Sequence, residues 1–185
     1  MKNISKLVEM FSTREEKEGD DQMAMKGKII VVLDGDEKGR RVFETENIIT
    51  NAGDIFYAQM GAGETPTEAF VNLYLGSTGT PSTGKNSNYG SITPIAGTEK
   101  SPSSGYPKAN CTDADNTGGG ANVVTWRYAY AKADFDHAAI TEGIISRATA
   151  SGTDPVLCHF AFAAAFEKTS NDTLTIFVNH TCLGS

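Results

Sequence analysis

The sequence predicts a mainly β protein: an antiparallel β-sandwich or jelly-roll-like domain with one short helix, plus an N-terminal helical arm. Three observations indicate this class. Large apolar or aromatic residues alternate strictly with smaller or polar ones over positions 124–130, which is typical of a half-buried strand. Further short β-like runs are separated by turn-forming stretches such as SGTDP and KTSND. Helix signals within the body are confined to one segment, and this combination favours an antiparallel sandwich.

Residues 1–27 are predicted to form an amphipathic helix and a charged tether ahead of the main domain. Apolar side chains spaced i, i+3, i+4 and i+7 share one face of a helix, and here they are Ile4, Leu7, Val8 and Phe11. A helix this short is marginal alone in water and must pack on another surface. The polar stretch STREEKEGDDQ that follows is typical of a solvated tether. The helix packs either on its own domain or on a neighbouring subunit.

The main domain, residues 28–185, is predicted to open with a β-hairpin. Two strand-like runs at 29–33 and 41–46 flank the turn-rich stretch DGDEKGRR. That stretch lacks the oxygen ligands of a calcium loop at its later positions, so we interpret it as a turn. Later strands are predicted at 70–75, 123–130, 140–146, 157–166 and 174–179. Within the fourth of these, FAFAAAF is Ala-rich, but its phenylalanines keep a period of two.

Residues 50–60 are predicted to form the short helix of the main domain. Thr50 or Asn51 would cap its start, and Gly61 would end it. The apolar residues expected to face the interior are Ile55, Phe56 and Met60.

The segment 76–120 is a long loop rich in Gly, Ser, Thr, Pro and Asn. A loop of about 45 residues is unusual inside a compact domain. We therefore expect it to run over the surface or to meet another molecule. Tyr89 and Tyr106 are its candidate aromatic contacts.

Charge and composition limit the classes of partner. The formal net charge is −7 and the pI is about 4.9, whereas proteins that bind nucleic acid usually carry a basic face. The sequence therefore predicts no nucleic-acid partner. The sequence shows neither a secretory signal nor a run of 18 apolar residues, so it predicts no membrane partner and synthesis in the cytoplasm. Its three cysteines include no zinc-type CxxC pair, which favours buried free thiols.

The stretch GTPSTGKNS at 79–87 resembles a phosphate-binding loop but departs from it in three ways. Asn86 stands where a magnesium-binding Ser or Thr is needed, and the residues that follow cannot sustain a helix. Pro81 also removes a backbone N–H that would donate to phosphate. We therefore predict no nucleotide and no other cofactor.

Metal and catalytic signatures are also weak. Cys158 and His159 are adjacent, so on a strand they point to opposite faces. His180 and Cys182 could share a face, but two ligands do not make a structural tetrahedral site. The cluster ADFDHAAI lies between two predicted strands, where Asp residues shape turns. Because no nucleophile elbow or paired base is recognisable, the sequence predicts a protein that is not an enzyme.

Three stretches resemble those of tailed-bacteriophage virion proteins: NIITNAGDIFYAQ, VVTWRYAYAKADFDHAAITEGIISRA and DTLTIFVNHT. The resemblance covers residues 47–60 and 122–181 and is closest to capsid decoration, or cement, proteins. It implies a small β domain that binds the outer capsid surface and stabilises the shell, so that the protein is located on the virion. The implied partners are the major capsid protein and further copies of this chain.

Contacts with those partners are expected from the N-terminal helix through Ile4, Leu7, Val8 and Phe11, and from the long loop through Tyr89 and Tyr106. Two alternatives stay open. A tail- or fibre-associated virion protein would use the long loop for attachment to a host. A carbohydrate-binding β domain unrelated to virions would pack the N-terminal helix against itself.

Overall fold

The computed structural model describes residues 25–182, which form one sheet of eight antiparallel strands curled into a half-barrel, with one α-helix. The elements are β1 Met25–Gly35, β2 Gly39–Ile49, α1 Asn51–Gly61, β3 Asn72–Gly76, β4 Lys108–Ala109, β5 Val123–Tyr130, β6 His137–Ser146, β7 Cys158–Lys168 and β8 Asp172–Cys182. A 3₁₀ turn spans Tyr89–Ser91. Neither of these helices has the length and hydropathy needed to span a bilayer.

The mainly β, antiparallel class with one helix is confirmed, but the strands are joined in one sheet rather than in two separate ones. Their order is β3-β6-β7-β2-β1-β8-β5-β4. The β1–β2 hairpin lies between β7 and β8, although only residues 169–171 connect those two strands in the chain. Alternation along a strand specifies its inner and outer faces but not its hydrogen-bonded neighbours, so the sequence could not reveal this insertion.

The main core fills the inner face of the curled sheet. Alternate residues in the middle of β1 contribute to it, namely Ile29, Val31 and Leu33, all with no exposed surface. Aromatic side chains from β5 and β7, including Trp126 and Phe160, pack against them. Smaller apolar clusters lie on the outer face: Ile30, Val32 and Phe177 in one, and Tyr74, Ile92, Ile144 and Val156 in another.

The predicted strands are confirmed, several with longer ends. The hairpin turns through Gly39, whose φ of 63° lies in the left-handed region that glycine adopts without strain. The Ala-rich run in β7 is a strand, as its period of two predicted. Its pairing with β2 stops after Phe160, and the segment 163–165 is exposed. The half-buried Phe43 of β2 packs edge-on against Phe162 and Phe166 where the two strands separate.

The helix α1 is capped as predicted, but two of its three predicted interior residues are wrong. Thr50 Oγ1 accepts a hydrogen bond from the Gly53 N–H at 3.1 Å. Phe56 packs on the core, whereas Ile55 and Met60 are 57% and 55% exposed. Gly53 approaches the main chain just before β7 so closely that an added Cβ would lie 2.2 Å from the Leu157 carbonyl oxygen. This approach orients the helix, and Tyr57 rather than Ile55 therefore faces the core.

Candidate functional site

The long loop packs on its own sheet, partly on the outer face and partly along the edge strand β3, where its Ile95 joins the main core. Two residues near its middle form isolated bridges to the edge strand β3, pairing Leu73 with Lys100 and Gly76 with Pro94. Ile92 is buried there, and Tyr89 stacks edge-to-face on Tyr74 with ring centroids 5.1 Å apart. The loop therefore runs over the surface, as expected, and its path is determined by contacts within the domain.

A serine of this loop meets a buried histidine and a buried glutamate. Ser87 Oγ lies 2.9 Å from His159 Nδ1, and His159 Nε2 lies 3.0 Å from Glu142 Oε2. Both side chains beneath the serine have no exposed surface, while Ser87 itself is half-buried. The three residues form a continuous hydrogen-bonded series from the loop into the sheet, which we call the Ser87 relay.

Strand register places the relay. His159 follows the inward-facing Cys158 on β7, so its side chain points to the outer face. On β6 the register shifts between Ile140 and Glu142, which are paired with Phe166 and Ala161 respectively. Without that irregularity Glu142 would share the inner face with Ile140; with it, Glu142 lies on the outer face diagonally opposite His159.

The charges of the relay follow from its bonds. Burial by itself raises the pKa of Glu142, but hydrogen bonds from His159 and Thr78 outweigh burial, so this pKa lies below its usual value. A carboxylate only accepts hydrogen bonds, so His159 donates from Nε2. In the neutral ring, Nδ1 is then an acceptor directed at Ser87. Ser87 Oγ already accepts the Gly84 N–H at 3.0 Å, so its own proton is directed to the histidine.

A second buried network lies on the inner face beneath α1. Tyr57 Oη is 2.6 Å from His180 Nδ1, and Trp126 Nε1 donates to the same hydroxyl at 3.3 Å. Asn47 Nδ2 lies 2.8 Å from the other nitrogen, His180 Nε2. Burial lowers the pKa of His180 to about 3, so the ring stays neutral. We call these four residues the His180 network.

Cys158 lies beside the His180 network but is unsuited to nucleophilic chemistry. The thiol is fully buried, and burial raises its pKa to about 12. The thiolate is the reactive form of cysteine, and it is therefore scarce at neutral pH. A Cys, His and Asn set suggests a thiol enzyme by residue type alone, whereas its enclosure indicates a structural role.

The phosphate-loop-like stretch is held against the start of α1. Lys85 Nζ lies 2.6 Å from the Asp54 carboxylate, and Asn51 Nδ2 donates to Asn86 Oδ1 at 2.8 Å. The Asn51 N–H also donates to the Lys85 carbonyl at 2.9 Å. The lysine that would contact a phosphate thus has a carboxylate partner within its own domain.

The metal-ligand candidates are separated in space. Cys158 belongs to the inner core whereas His159 belongs to the Ser87 relay, as strand alternation predicted. Within residues 25–182, His, Cys, Asp and Glu side chains form no group of three that could hold a metal ion. Asp134 of the ADFDHAAI cluster is bonded to Lys100, with Nζ 2.5 Å from Oδ2.

The predicted partner-contact residues fall into two groups. Ile4, Leu7, Val8 and Phe11 lie outside the described residues. Tyr89 and Tyr106 are half-buried, the first against Tyr74 and the second with its hydroxyl 3.4 Å from Cys111 Sγ. Each tyrosine therefore combines an intramolecular contact with partial exposure.

A shallow, mainly apolar groove of about 360 Å³ lies at one end of the sheet. It is lined by Ala109, Asn122, Val123, Val124 and Cys182. Cys182, which is exposed, pairs with Met25, the first described residue. Met25 therefore lies beside a residue that lines this groove.

Comparisons with family models, with curated proteins and with solved structures found no match to this chain. The residues of the Ser87 relay were not identified from sequence. Ser87 is 72 positions from His159, and His159 is 17 from Glu142. Because no short motif contains them, only strand register and the path of the loop bring them together.

Proposed function

We propose that this protein is a non-enzymatic virion structural protein that binds the outer capsid surface and stabilises the shell, as a decoration or cement protein. Its partners are the major capsid protein and other copies of the same chain. It acts by binding an assembled lattice. At a free concentration 100 times the dissociation constant, binding stabilises the assembled state by about 2.7 kcal/mol per site.

The observation that carries the proposal is the convergence of the three stretches that resemble virion proteins. Asn47 and Tyr57 belong to the first stretch, Trp126 to the second and His180 to the third, and their side chains meet in the His180 network. Each of the three stretches therefore contributes at least one side chain to one buried centre of the domain. This arrangement supports the proposal that the chain shares a structural framework with those virion proteins.

The organisation of the surface also supports a binding role. The first half of the long loop is attached through the Ser87 relay, and the second through Asn116, whose amide exchanges hydrogen bonds of 3.0 and 2.8 Å with Asn179. A surface ordered before a partner arrives loses less conformational entropy on binding. The loop thus offers a preformed face, on which the half-buried Tyr89 and Tyr106 are candidate contacts.

The first test is the copy number of this protein in purified particles, measured by quantitative mass spectrometry against the major capsid protein. Hundreds of copies at a simple ratio to that protein support decoration. Between a few and a few dozen copies would instead favour the alternative role in a tail or fibre. Absence from particles would refute the virion assignment.

A second test concerns the N-terminal segment. One variant deletes residues 1–24 and stops there, because β1 begins at Met25. A sharper variant combines Leu7→Asp with Phe11→Asp, matched by Ser5→Asp with Ser12→Asp, which adds the same charge off the apolar face. We expect the first pair to weaken binding to capsids at least tenfold and the second to leave it within about twofold. Equal binding by both pairs would contradict the assigned contact.

A further inference from the structure

We propose that Ser87 is a reactive serine, a modification site that accepts an acyl or phosphonyl group from small activated reagents. The inference rests on the Ser87 relay and is independent of the virion role. Its residue types are those of serine hydrolases, in which a histidine activates the serine and a carboxylate orients the histidine. Here the two ring nitrogens have the reverse roles of those in the serine protease triad: Nδ1 faces the serine and Nε2 faces Glu142.

The hydrogen bonds of the Ser87 relay define one path for the hydroxyl proton of Ser87. The serine hydroxyl accepts the Gly84 N–H and donates to His159 Nδ1, and His159 donates from Nε2 to Glu142. The other carboxylate oxygen, Glu142 Oε1, accepts the Thr78 N–H at 3.2 Å and is held in place. A proton leaving Ser87 therefore moves to a ring whose positive charge Glu142 stabilises.

Burial limits what can react. His159 and Glu142 have no exposed surface, and only the half-buried serine borders solvent. A reagent must therefore reach Ser87 from the surface and present a compact electrophilic centre. This geometry suits one modification of each chain by a small activated ester or a phosphonyl fluoride.

The chemical step balances without a further reactant. With a phosphonyl fluoride, a bond forms between Ser87 Oγ and phosphorus, the phosphorus–fluorine bond breaks, and fluoride leaves. The hydroxyl proton passes to His159 Nδ1, and Glu142 stabilises the positive charge that the ring then carries. With an ester, the carbon–oxygen bond to the leaving group breaks, and that group receives the proton.

Ser91 is an internal control in the same loop. Its Oγ accepts the Asn88 N–H at 3.0 Å, just as Ser87 Oγ accepts the N–H of the residue three positions earlier. Both serines are half-buried. The hydrogen bond from Ser87 to His159 is the difference on which the proposal depends.

The full chain is treated with a fluorophosphonate probe, and labelling at each serine is followed by peptide mass spectrometry. We expect Ser87 to label about 10²-fold faster than Ser91, the lower range of general-base assistance. Ser87→Ala should remove this label. Glu142→Gln, checked for folding by circular dichroism, should slow labelling of Ser87 at least tenfold.

Equal labelling rates at Ser87 and Ser91 in the folded wild-type chain would overturn the proposal and leave the relay a structural link. This comparison needs no variant, so it decides the matter even if Glu142→Gln unfolds. If Glu142→Gln folds and labels at the wild-type rate, the carboxylate plays no part and the relay as proposed is refuted.

Discussion

The side chains of Asn47 in β2 and His180 in β8 are hydrogen-bonded across β1, the strand that lies between them. Asn47 Nδ2 is 2.8 Å from His180 Nε2, although β2 and β8 each pair with β1 and not with one another. The residue of β1 opposite both is Gly27, where an added Cβ would lie 1.1 Å from Asn47 Oδ1. The missing side chain provides the space in which the two polar groups meet.

Gly27→Ala should therefore destabilise the fold. The new methyl group displaces Asn47 and leaves buried polar atoms without partners, which costs about 2–3 kcal/mol in the free energy of unfolding. Urea denaturation followed by circular dichroism measures the change. Gly79→Ala is the control, because no atom lies within 4 Å of its added Cβ, and it should change stability by less than about 0.5 kcal/mol. Equal midpoints for both variants would contradict this account of the His180 network.

Acid should destabilise the protein through His180 in a defined pH range. Its pKa is about 3 in the folded chain and 6.5 in the unfolded chain, so below pH 6.5 the unfolded state binds a proton that the folded state excludes. The free energy of unfolding should consequently decrease by up to about 1.4 kcal/mol for each unit by which the pH is lowered. Glu142, with its lowered pKa, acts in the same direction, but only below its usual value of 4.5. Urea titrations between pH 4.5 and 6.5 therefore report mainly on histidine.

The variant His180→Gln should flatten that pH dependence whatever its effect on total stability. His137→Gln removes a half-buried histidine instead and should retain the wild-type slope. If both variants keep the slope, His180 is not the group responsible.

The second half of the long loop should depend on Asn116. This side chain is 5% exposed and exchanges two hydrogen bonds with Asn179. Asn116→Ala should lower the free energy of unfolding by about 1–3 kcal/mol and speed amide hydrogen exchange in residues 111–120. Asn86→Ala removes an exposed pairing with Asn51 and should leave exchange in that segment unchanged. Unchanged exchange in both variants would show that the Asn116 contact does not order the loop.

Thiol reactivity should distinguish the three cysteines. Cys182 is exposed, whereas Cys111 and Cys158 are buried and Cys158 has its pKa raised to about 12. Ellman's reagent should therefore titrate one thiol rapidly in the native protein and three in denaturant. Cys182→Ser should abolish the rapid phase. Rapid reaction of Cys158 in the native chain would contradict the packing of the inner core, and rapid reaction of Cys111 would contradict its burial in the long loop.

Sequence patterns located the elements well because their causes are local. The period of two in residues 123–130 reflects which side chains of β5 face the core, and the structure places Trp126, Tyr128 and Tyr130 there. The capping residue Thr50 was recognisable because its hydroxyl bonds to a nitrogen three residues away. The inward face of α1 was not, because it depends on the contact between Gly53 and the distant Leu157.

The candidate site was beyond the reach of sequence reasoning for a related reason. The N-terminal residues Ile4, Leu7, Val8 and Phe11 were identified by local spacing and stay a prediction. The Ser87 relay depends on a register shift in β6, on the outward face of β7 and on the course of a 45-residue loop. None of these is encoded in a short motif.

By itself, the sequence determined the mainly β class, the strand positions, the hairpin, the capped helix and the acidic charge, all of which follow from local periodicity, turn chemistry and composition. Tertiary structure alone decided that the hairpin inserts between β7 and β8 and joins all strands in one sheet. It also decided that Glu142 meets His159 and that Asn47 meets His180 across Gly27. The physical reason is that pairing, register and close packing are set by free energies of contacts between residues far apart in the chain.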